Sequence, residues 1–388
     1  MKNSGSTHEK LQKKLEKRQS EHRYRSLNKI DSVYTSRLLK MDGEEYLNFC
    51  SNDYLNLSNH PALKNKSIEY AERFGVGSSS SRLITGTLAI HRNLEERLAS
   101  LYQKDDALLF STGFQANSTI LPAITDKNDV IITDQLCHNS ILTGCLASKA
   151  DFYRFRHNDM DHLETFLKRK SNGKSSEVWI VTESLFSMDG DRAPLDKIIQ
   201  LSRKYGAKLY VDDAHAFGVY GENGLGFGED YKEIDLLIGT FGKAAGSFGA
   251  FVASSKIITE ALINYCSGFI YSTAPPPSIV GSIEAALDLI PDMEKERRYL
   301  HELSKFFHQK LKENSFETSE NPSHILPIIE GEDKAVLKKS DELKAAGMIV
   351  TAIRPPTVPE NRSRFRISLT TAHRKEDCNK LLELLSNS

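Results

Sequence analysis

Leu209-Tyr210-Val211-Asp212-Asp213-Ala214-His215 decides how the chain is read: three apolar residues in a row give way to two carboxylates and an imidazole. An unbroken apolar run suits a strand buried on both faces, as in a parallel sheet covered by helices. A polar end suits the open edge where such strands stop. On either side of it the pattern recurs, at Ala107-Leu108-Leu109-Phe110, Val130-Ile131-Ile132, Val178-Trp179-Ile180-Val181 and Leu236-Leu237-Ile238. Between two of these runs, Leu195, Ile198, Ile199 and Leu201 describe an amphipathic helix with Gly206 at its end, which makes one βαβ crossover. The chain from about residue 90 to 290 therefore reads as α/β with a mainly parallel sheet.

The flanks read differently. Residues 8–25 form a polar helix, and Tyr46-Leu47-Asn48-Phe49 is a short strand. Beyond 290 the composition turns charged, with helices expected at 292–313 and 333–347 and strands at 348–353 and 364–369, a smaller α+β domain. At 388 residues the chain exceeds one hydrophobic core, so three regions are expected: a helical segment 1–44, a large domain 45–288 and a small domain 289–388. With 51 basic and 52 acidic side chains, no global field draws the protein to nucleic acid or an anionic membrane, and a small-molecule partner fits better. Five cysteines show no CxxC or other metal-ligand spacing, which argues for a reducing compartment, the cytoplasm, with no disulfide framework and no metal site. MKNSGSTHEK is no secretory leader, and the uncharged run 261–283 is broken by Pro275-Pro276-Pro277, so no membrane span is expected.

In Gly239-Thr240-Phe241-Gly242-Lys243-Ala244-Ala245-Gly246 a lysine sits among small residues just past an apolar run. A crowded, partly dry setting lowers a lysine's pKa, and the neutral amine is what a Schiff base requires. Alone, the motif reads better as a surface lysine on a glycine-rich turn. A nucleotide-binding P-loop needs four residues between its first Gly and the Gly-Lys pair and a Ser or Thr after it. Here there are two, and Ala244 follows, so that reading fails. Asp212 suits a carboxylate beside a ring nitrogen that must stay protonated, the requirement of pyridoxal phosphate as an electron sink, and His215 is placed to reach the ring hydroxyl. A helix-capping Asp and a packing His explain that pair equally well on their own. Glu183, Ser184 and Ser187 end another run, and strand C-termini of an open α/β sheet converge on one crevice.

Ser111-Thr112-Gly113-Phe114-Gln115-Ala116-Asn117 follows a strand and opens a helix, whose free N–H groups suit a phosphate or simply carry a Ser/Thr cap. His138 follows the next strand. Alternation puts Arg364 and Arg366 on one face of a strand, where a guanidinium clamps a carboxylate or is merely solvated.

Taken in order, Ser-Asn-Asp-Tyr-Leu at 51–55, Ser-Arg-Leu at 81–83 with Gly86 and His91, Thr-Gly-Phe at 112–114, His138-Asn139-Ser140, Ser187 to Asp191, Asp212 to His215, Thr240 to Lys243 and Ser272-Thr273-Ala274 resemble the α-oxoamine synthases. These are fold-type I pyridoxal-phosphate enzymes that condense an amino acid with an acyl thioester and release carbon dioxide. The match spans about residues 45–373. It implies a mainly parallel seven-stranded sheet in a large domain plus a smaller C-terminal α+β domain. It implies that Lys243 carries pyridoxal 5'-phosphate and moves the Cα proton, that Asp212 pairs with the ring nitrogen, and that His138 stacks on the ring. Ser187 and His215 would approach the ring oxygen, and Thr240 with Gly113 and Phe114 would meet the phosphate. Asn52 and Arg366 would bind the amino-acid carboxylate and Arg354 the acyl end, and Arg25 is a further substrate-binding candidate. In a homodimer, Ser272 and Thr273 would reach the partner's phosphate.

Ile353-Arg354-Pro355-Pro356-Thr357-Val358-Pro359 is most similar to members that join L-alanine to pimeloyl-CoA or pimeloyl-acyl carrier protein. Sister enzymes taking glycine or serine share every cofactor residue, whereas a non-catalytic subunit would lack Lys243. A binding protein of another class would keep phosphate ligands without amine chemistry. The sequence departs from the family pattern at Asn56, usually Gly, at Ser79-Ser80, usually a glycine-rich pair, at Ala245 and at Pro276.

Overall fold

The computed structural model describes residues 6–171 and 177–387; Met1 to Gly5 of the leader reading lie outside them. The chain divides into two compact units, one of Met1–Ser51, Met188–Gly190 and His301–Ser388, the other of Asn52–Ser187 and Asp191–Leu300.

The second unit is built on a seven-stranded sheet in the order Asp106–Phe110, Ala250–Ser254, Leu236–Thr240, Lys208–Asp212, Val178–Glu183, Val130–Asp134, Asp151–Phe155. Ala250–Ser254 runs antiparallel to both neighbours, and the pairs from Leu236–Thr240 to Asp151–Phe155 are parallel. The apolar runs are the interior strands: every residue of Val178–Glu183, Val130–Asp134 and Leu236–Thr240 is buried, which is what helices on both faces require. Four strands stop on a polar side chain, Asp134, Glu183, Asp212 and Thr240, and Glu183 stands opposite Asp212 in register. The crossover helix Leu195–Tyr205 closes on Gly206 at φ 65°, as its pattern predicts.

The first unit holds two smaller sheets. Ser32–Val33, Leu38–Met41, Glu44–Asn48 and Met348–Ile349 form one, the last pair being parallel. Ile325–Gly331, Ser363–Ser368 and Thr351–Ile353 form an antiparallel trio with Ser363–Ser368 in the middle. Burial on that central strand overturns the reading of solvated arginines: Arg364 is 2% and Arg366 7% exposed. The polar helix is shorter than expected. It spans Thr7–Ser20 under a Ser6/Glu9 capping box and buries no residue, so nothing carries it on to 25. Among the described residues no helix is long and apolar enough to cross a membrane. The uncharged run 261–283 breaks into the end of Lys256–Tyr265, the short Ser267–Ile270 and the start of Pro277–Leu289.

Candidate active site

At the C-terminal ends of the parallel strands lies a cavity of about 250 Å³. Its walls include Gly113, Phe114, His138, Asp212, His215, Thr240 and Lys243, brought together from segments far apart in the chain, and also Asn117, Ser140 and Glu183.

Asp212 ends its strand 6% exposed with both oxygens engaged: Oδ1 accepts from the Ala214 N–H at 3.0 Å and Oδ2 from Asn117 Nδ2 at 2.7 Å. The neighbouring Asp213 points the other way, bonded by the Ser184 hydroxyl and by the Gly228 N–H at 3.0 Å, and burial pushes its carboxyl up to about 7. Of the two consecutive acids, only Asp212 lines the cavity.

His138 caps the helix Asn139–Ala147, its Nδ1 2.7 Å from Ser140 Oγ, and its backbone N–H donates to Glu183 Oε1 at 2.5 Å. Desolvation lowers its pKa and the Lys243 charge adds to this, while Asp212 opposes both, so the imidazole is neutral at pH 7. Glu183 is 3% exposed, and burial first, then the Asp212 charge, push its carboxyl up to about 8. His215 Nδ1 lies 2.7 Å from the hydroxyl of the fully buried Tyr54, which donates to Asn52 Oδ1 at 3.0 Å.

Gly113 opens the helix Gly113–Ile124 behind the Thr112 cap, which accepts from the Gln115 N–H at 3.0 Å. A Cβ at Gly113 would press 2.7 Å from Thr240 Cγ2, so only glycine lets the strand end and the helix start approach this closely. Thr240 Oγ1 is buried there with no hydrogen-bond partner among the described residues.

The remaining candidates lie elsewhere. Ser187 is 8% exposed and outside the cavity wall, on a loop pinned by the Phe186 N–H to the Asp191 carbonyl at 2.9 Å. Ser272 accepts from the Gln115 side-chain amide of the same chain, and Thr273 is exposed, bridged to Ser81. Arg25, Arg354 and Arg366 belong to the first unit. Arg366 Nη1 donates to Ser368 Oγ at 2.6 Å. Arg25 and Arg354 line a cleft of about 590 Å³ with Thr357, whose hydroxyl accepts from Arg25 Nη2 at 3.2 Å. Sequence reasoning misses Thr357, Asn117 and Tyr54 as site residues. The Pro-Pro-Thr context and the motifs at 51–55 and 111–117 are visible in the chain, but only folding shows where their side chains bond.

Residues 44–385 match the family model for aminotransferase class I and II. The 8-amino-7-oxononanoate synthase of Geobacter sulfurreducens is 43% identical over 359 residues, 91% of each chain. An SPT structure holding PLP superposes with a TM-score of 0.92 at 27% identity, over 99% of this chain and 98% of that one. The 8-amino-7-oxononanoate synthase of Francisella tularensis superposes with a TM-score of 0.77 at 28% identity, over 88% of this chain and 97% of that one. With its fold-type I sheet, the chain belongs to the aminotransferase class I and II family, in the α-oxoamine synthase branch.

Proposed function

We infer that this chain is a pyridoxal-phosphate-dependent acyltransferase. It joins L-alanine to a pimeloyl thioester, on coenzyme A or an acyl carrier protein. The products are 8-amino-7-oxononanoate, carbon dioxide and the free thiol carrier, a step of biotin synthesis. The observation that carries this reading is the convergence of Lys243, Asp212, His138, His215 and Thr240 on one cavity, in a chain 43% identical to an 8-amino-7-oxononanoate synthase.

The cavity suits a phosphorylated pyridine. The orphaned Thr240 hydroxyl is a ready donor to a phosphate oxygen, and the free N–H groups at the start of Gly113–Ile124 favour an anion beside it. Asp212, held in place by Asn117 and the Ala214 N–H, suits a protonated ring nitrogen. Bound there, pyridoxal phosphate supplies an electron sink for the bonds at the amino acid's Cα. Lys243 would hold the group through Nζ, and its amine would take the proton at the amino acid's Cα and hold it for return. Neutral His138 would pack against the ring face, and His215, bonded to Tyr54, would face the ring oxygen, the role proposed also for Ser187. Asn52 and Arg366 are proposed as carboxylate ligands for alanine. Burial lowers the pKa of the Arg354 guanidinium, the Asp333 charge opposes this and the Arg25 charge adds to it; the two guanidiniums on one cleft suit an anion such as the far carboxylate of a pimeloyl chain.

A homodimer is proposed from the family resemblance. Leu83, Ile84 and Tyr271 of the second unit support it, being 47%, 76% and 84% exposed, more apolar surface than an isolated subunit needs. Ser272 and Thr273 would then serve the partner's phosphate.

One observation favours a sister enzyme: the SPT fold superposes better, at 0.92 against 0.77. Acyl choice resides in side chains rather than in backbone shape, so the 43% identity weighs more. The deciding assay supplies L-alanine, glycine or L-serine in turn with pimeloyl-CoA, pimeloyl-acyl carrier protein or palmitoyl-CoA and detects product by mass. Product from alanine and a pimeloyl donor supports the reading; product only from serine and palmitoyl-CoA replaces it.

A further inference from the structure

One side chain in the cavity wall has no part in the chemistry set out so far, yet its bonds reach both groups said to grip the cofactor ring. Asn117 is 2% exposed on the helix Gly113–Ile124. Its Nδ2 lies 2.7 Å from Asp212 Oδ2 and 3.1 Å from Ser140 Oγ, and its Oδ1 accepts from Tyr210 Oη at 2.5 Å. Ser140 Oγ is in turn 2.7 Å from His138 Nδ1.

Which end of this amide is oxygen is fixed by chemistry. Tyr210 is fully buried and burial raises its pKa well above the ordinary value, so its hydroxyl keeps its proton and donates; the group facing it must be the acceptor. Both N–H bonds then point to Asp212 and Ser140, and turning the amide over would set its carbonyl against a carboxylate. We propose that Asn117 is a positioning residue: one amide, locked by Tyr210, holds the Asp212 carboxylate in its orientation and, through Ser140, sets the His138 imidazole. The inference rests on the reading of the cavity as a pyridoxal-phosphate site and goes beyond it, because the ring's edge contact and its face contact become a single mechanical unit.

The neighbouring Glu183 shows why such a device is needed. Burial first, then the Asp212 charge, push the Glu183 carboxyl up to about 8, so the two side chains crowd one crevice and each is held by its own donors. Glu183 receives the His138 N–H, whereas Asp212 receives Asn117 and Ala214. Without the amide the Asp212 carboxylate keeps only the Ala214 donor and loses the contact that aims it at the cavity.

The test uses the holoenzyme and four variants: Asn117→Leu, Asn117→Asp, Tyr210→Phe and Ser140→Ala. Each is read for pyridoxal-phosphate affinity, for the pH titration of the bound cofactor's visible absorbance, for kcat and KM with L-alanine, and for apoprotein Tm. Asn117→Leu and Asn117→Asp are expected to lower kcat by about 10²-fold, to weaken cofactor binding about tenfold and to shift the absorbance titration, with the alanine KM changing less than about threefold. Tyr210→Phe is expected to give the same signature at roughly tenfold in kcat, since the amide survives but loses its lock. Ser140→Ala, which cuts only the arm to His138, is expected to lower kcat and leave the absorbance titration in place. A folded Asn117 or Tyr210 variant with wild-type absorbance and wild-type kcat per bound cofactor, whatever its Tm, overturns the proposal. Failure of the wild-type protein to bind pyridoxal phosphate sinks the functional reading itself, which keeps the two failures distinguishable.

Discussion

The strand ends of the second unit and the small sheets of the first bury ionisable groups in opposite ways. Around the cavity, Asp212 accepts from Asn117 and Glu183 from the His138 N–H, and all these side chains line an open polar face. In the first unit the charges are closed off. Arg37 clamps Asp377 through two bonds of 2.6 Å, Arg364 pairs with Asp189, and His373 bonds the Asn48 carbonyl at 3.0 Å while stacked 4.7 Å from Phe49. A closed network stabilises the fold and does nothing else; an open one holds charge states ready for a ligand. Mutation of the first kind should cost stability, and of the second, turnover.

The largest effect expected is from Lys243→Ala. A positioned acid–base group contributes about 10²–10⁴-fold, and the covalent anchor is lost as well, so turnover should fall by at least about 10³-fold. Apoprotein Tm should hardly move, because the side chain is only half-buried. Measured activity above a tenth of wild type would erase the contrast between the two regions.

Next comes Arg37→Ala. Removing one partner strands the Asp377 carboxylate, 4% exposed, and breaking a buried pair in this way costs about 3 kcal/mol. Denaturant unfolding should show that loss while kcat per folded molecule stays put. If kcat falls and stability does not, the division of labour is wrong. Arg366 sharpens the comparison further, since it sits in the closed unit but is assigned a substrate. Arg366→Lys should raise the alanine KM about tenfold, because a point charge cannot repeat a bidentate contact. A change in stability alone would return it to the structural network.

Two histidines carry the comparison into pH. Burial lowers His373 from its ordinary 6.5 to about 4, so the unfolded chain takes up a proton that the folded protein refuses. Stability is therefore whole above about 6.5 and falls as the pH drops towards 4, by ~3 kcal/mol in all. His157, in the second unit, goes the other way. Burial works to lower it, but bonds to Asp134 at 2.9 Å and Asp191 at 2.6 Å prevail and raise it to about 10. Its contribution is whole below the ordinary 6.5 and is lost as the pH rises through 10. Denaturation midpoints measured from acid to alkaline pH should flatten on the acid limb in His373→Gln and on the alkaline limb in His157→Gln. The reverse assignment would show that the bonds do not govern the charges.

Legibility in the sequence follows the same line. Buried interior strands announce themselves as unbroken apolar runs, and their polar last residues mark the crevice, so Asp212, Thr240 and Lys243 stand out in the bare amino-acid order. Asp151–Phe155 does not, because it is a half-exposed edge with charged residues, nor does Ala250–Ser254, because small residues next to glycine give a weak apolar signal. Ile325–Gly331 carries Pro327, which argues against a strand until its place at the edge of the trio is known. Asn117 is invisible for another reason. An amide in a helix has no sequence signature, and its meaning lies in Tyr210, Asp212 and Ser140, which only folding brings to it.

The family departures make the smallest and finest test. Asn56 and Ser79, two of the departures from the family pattern expected from the sequence, both hold left-handed backbone, at φ 58° and 57°. An L side chain there costs about 1 kcal/mol relative to glycine, less for asparagine, whose side chain bonds its own backbone, while glycine loses more freedom on folding. Ser79→Gly should therefore raise stability by roughly 0.5 kcal/mol and Asn56→Gly by about nothing. Unfolding free energies of the two variants, with kcat alongside, decide it. A stabilised Ser79→Gly of unchanged activity places the departure in backbone conformation alone. A changed acyl profile would instead tie this loop to substrate choice and make it, like the cavity wall, part of the open network.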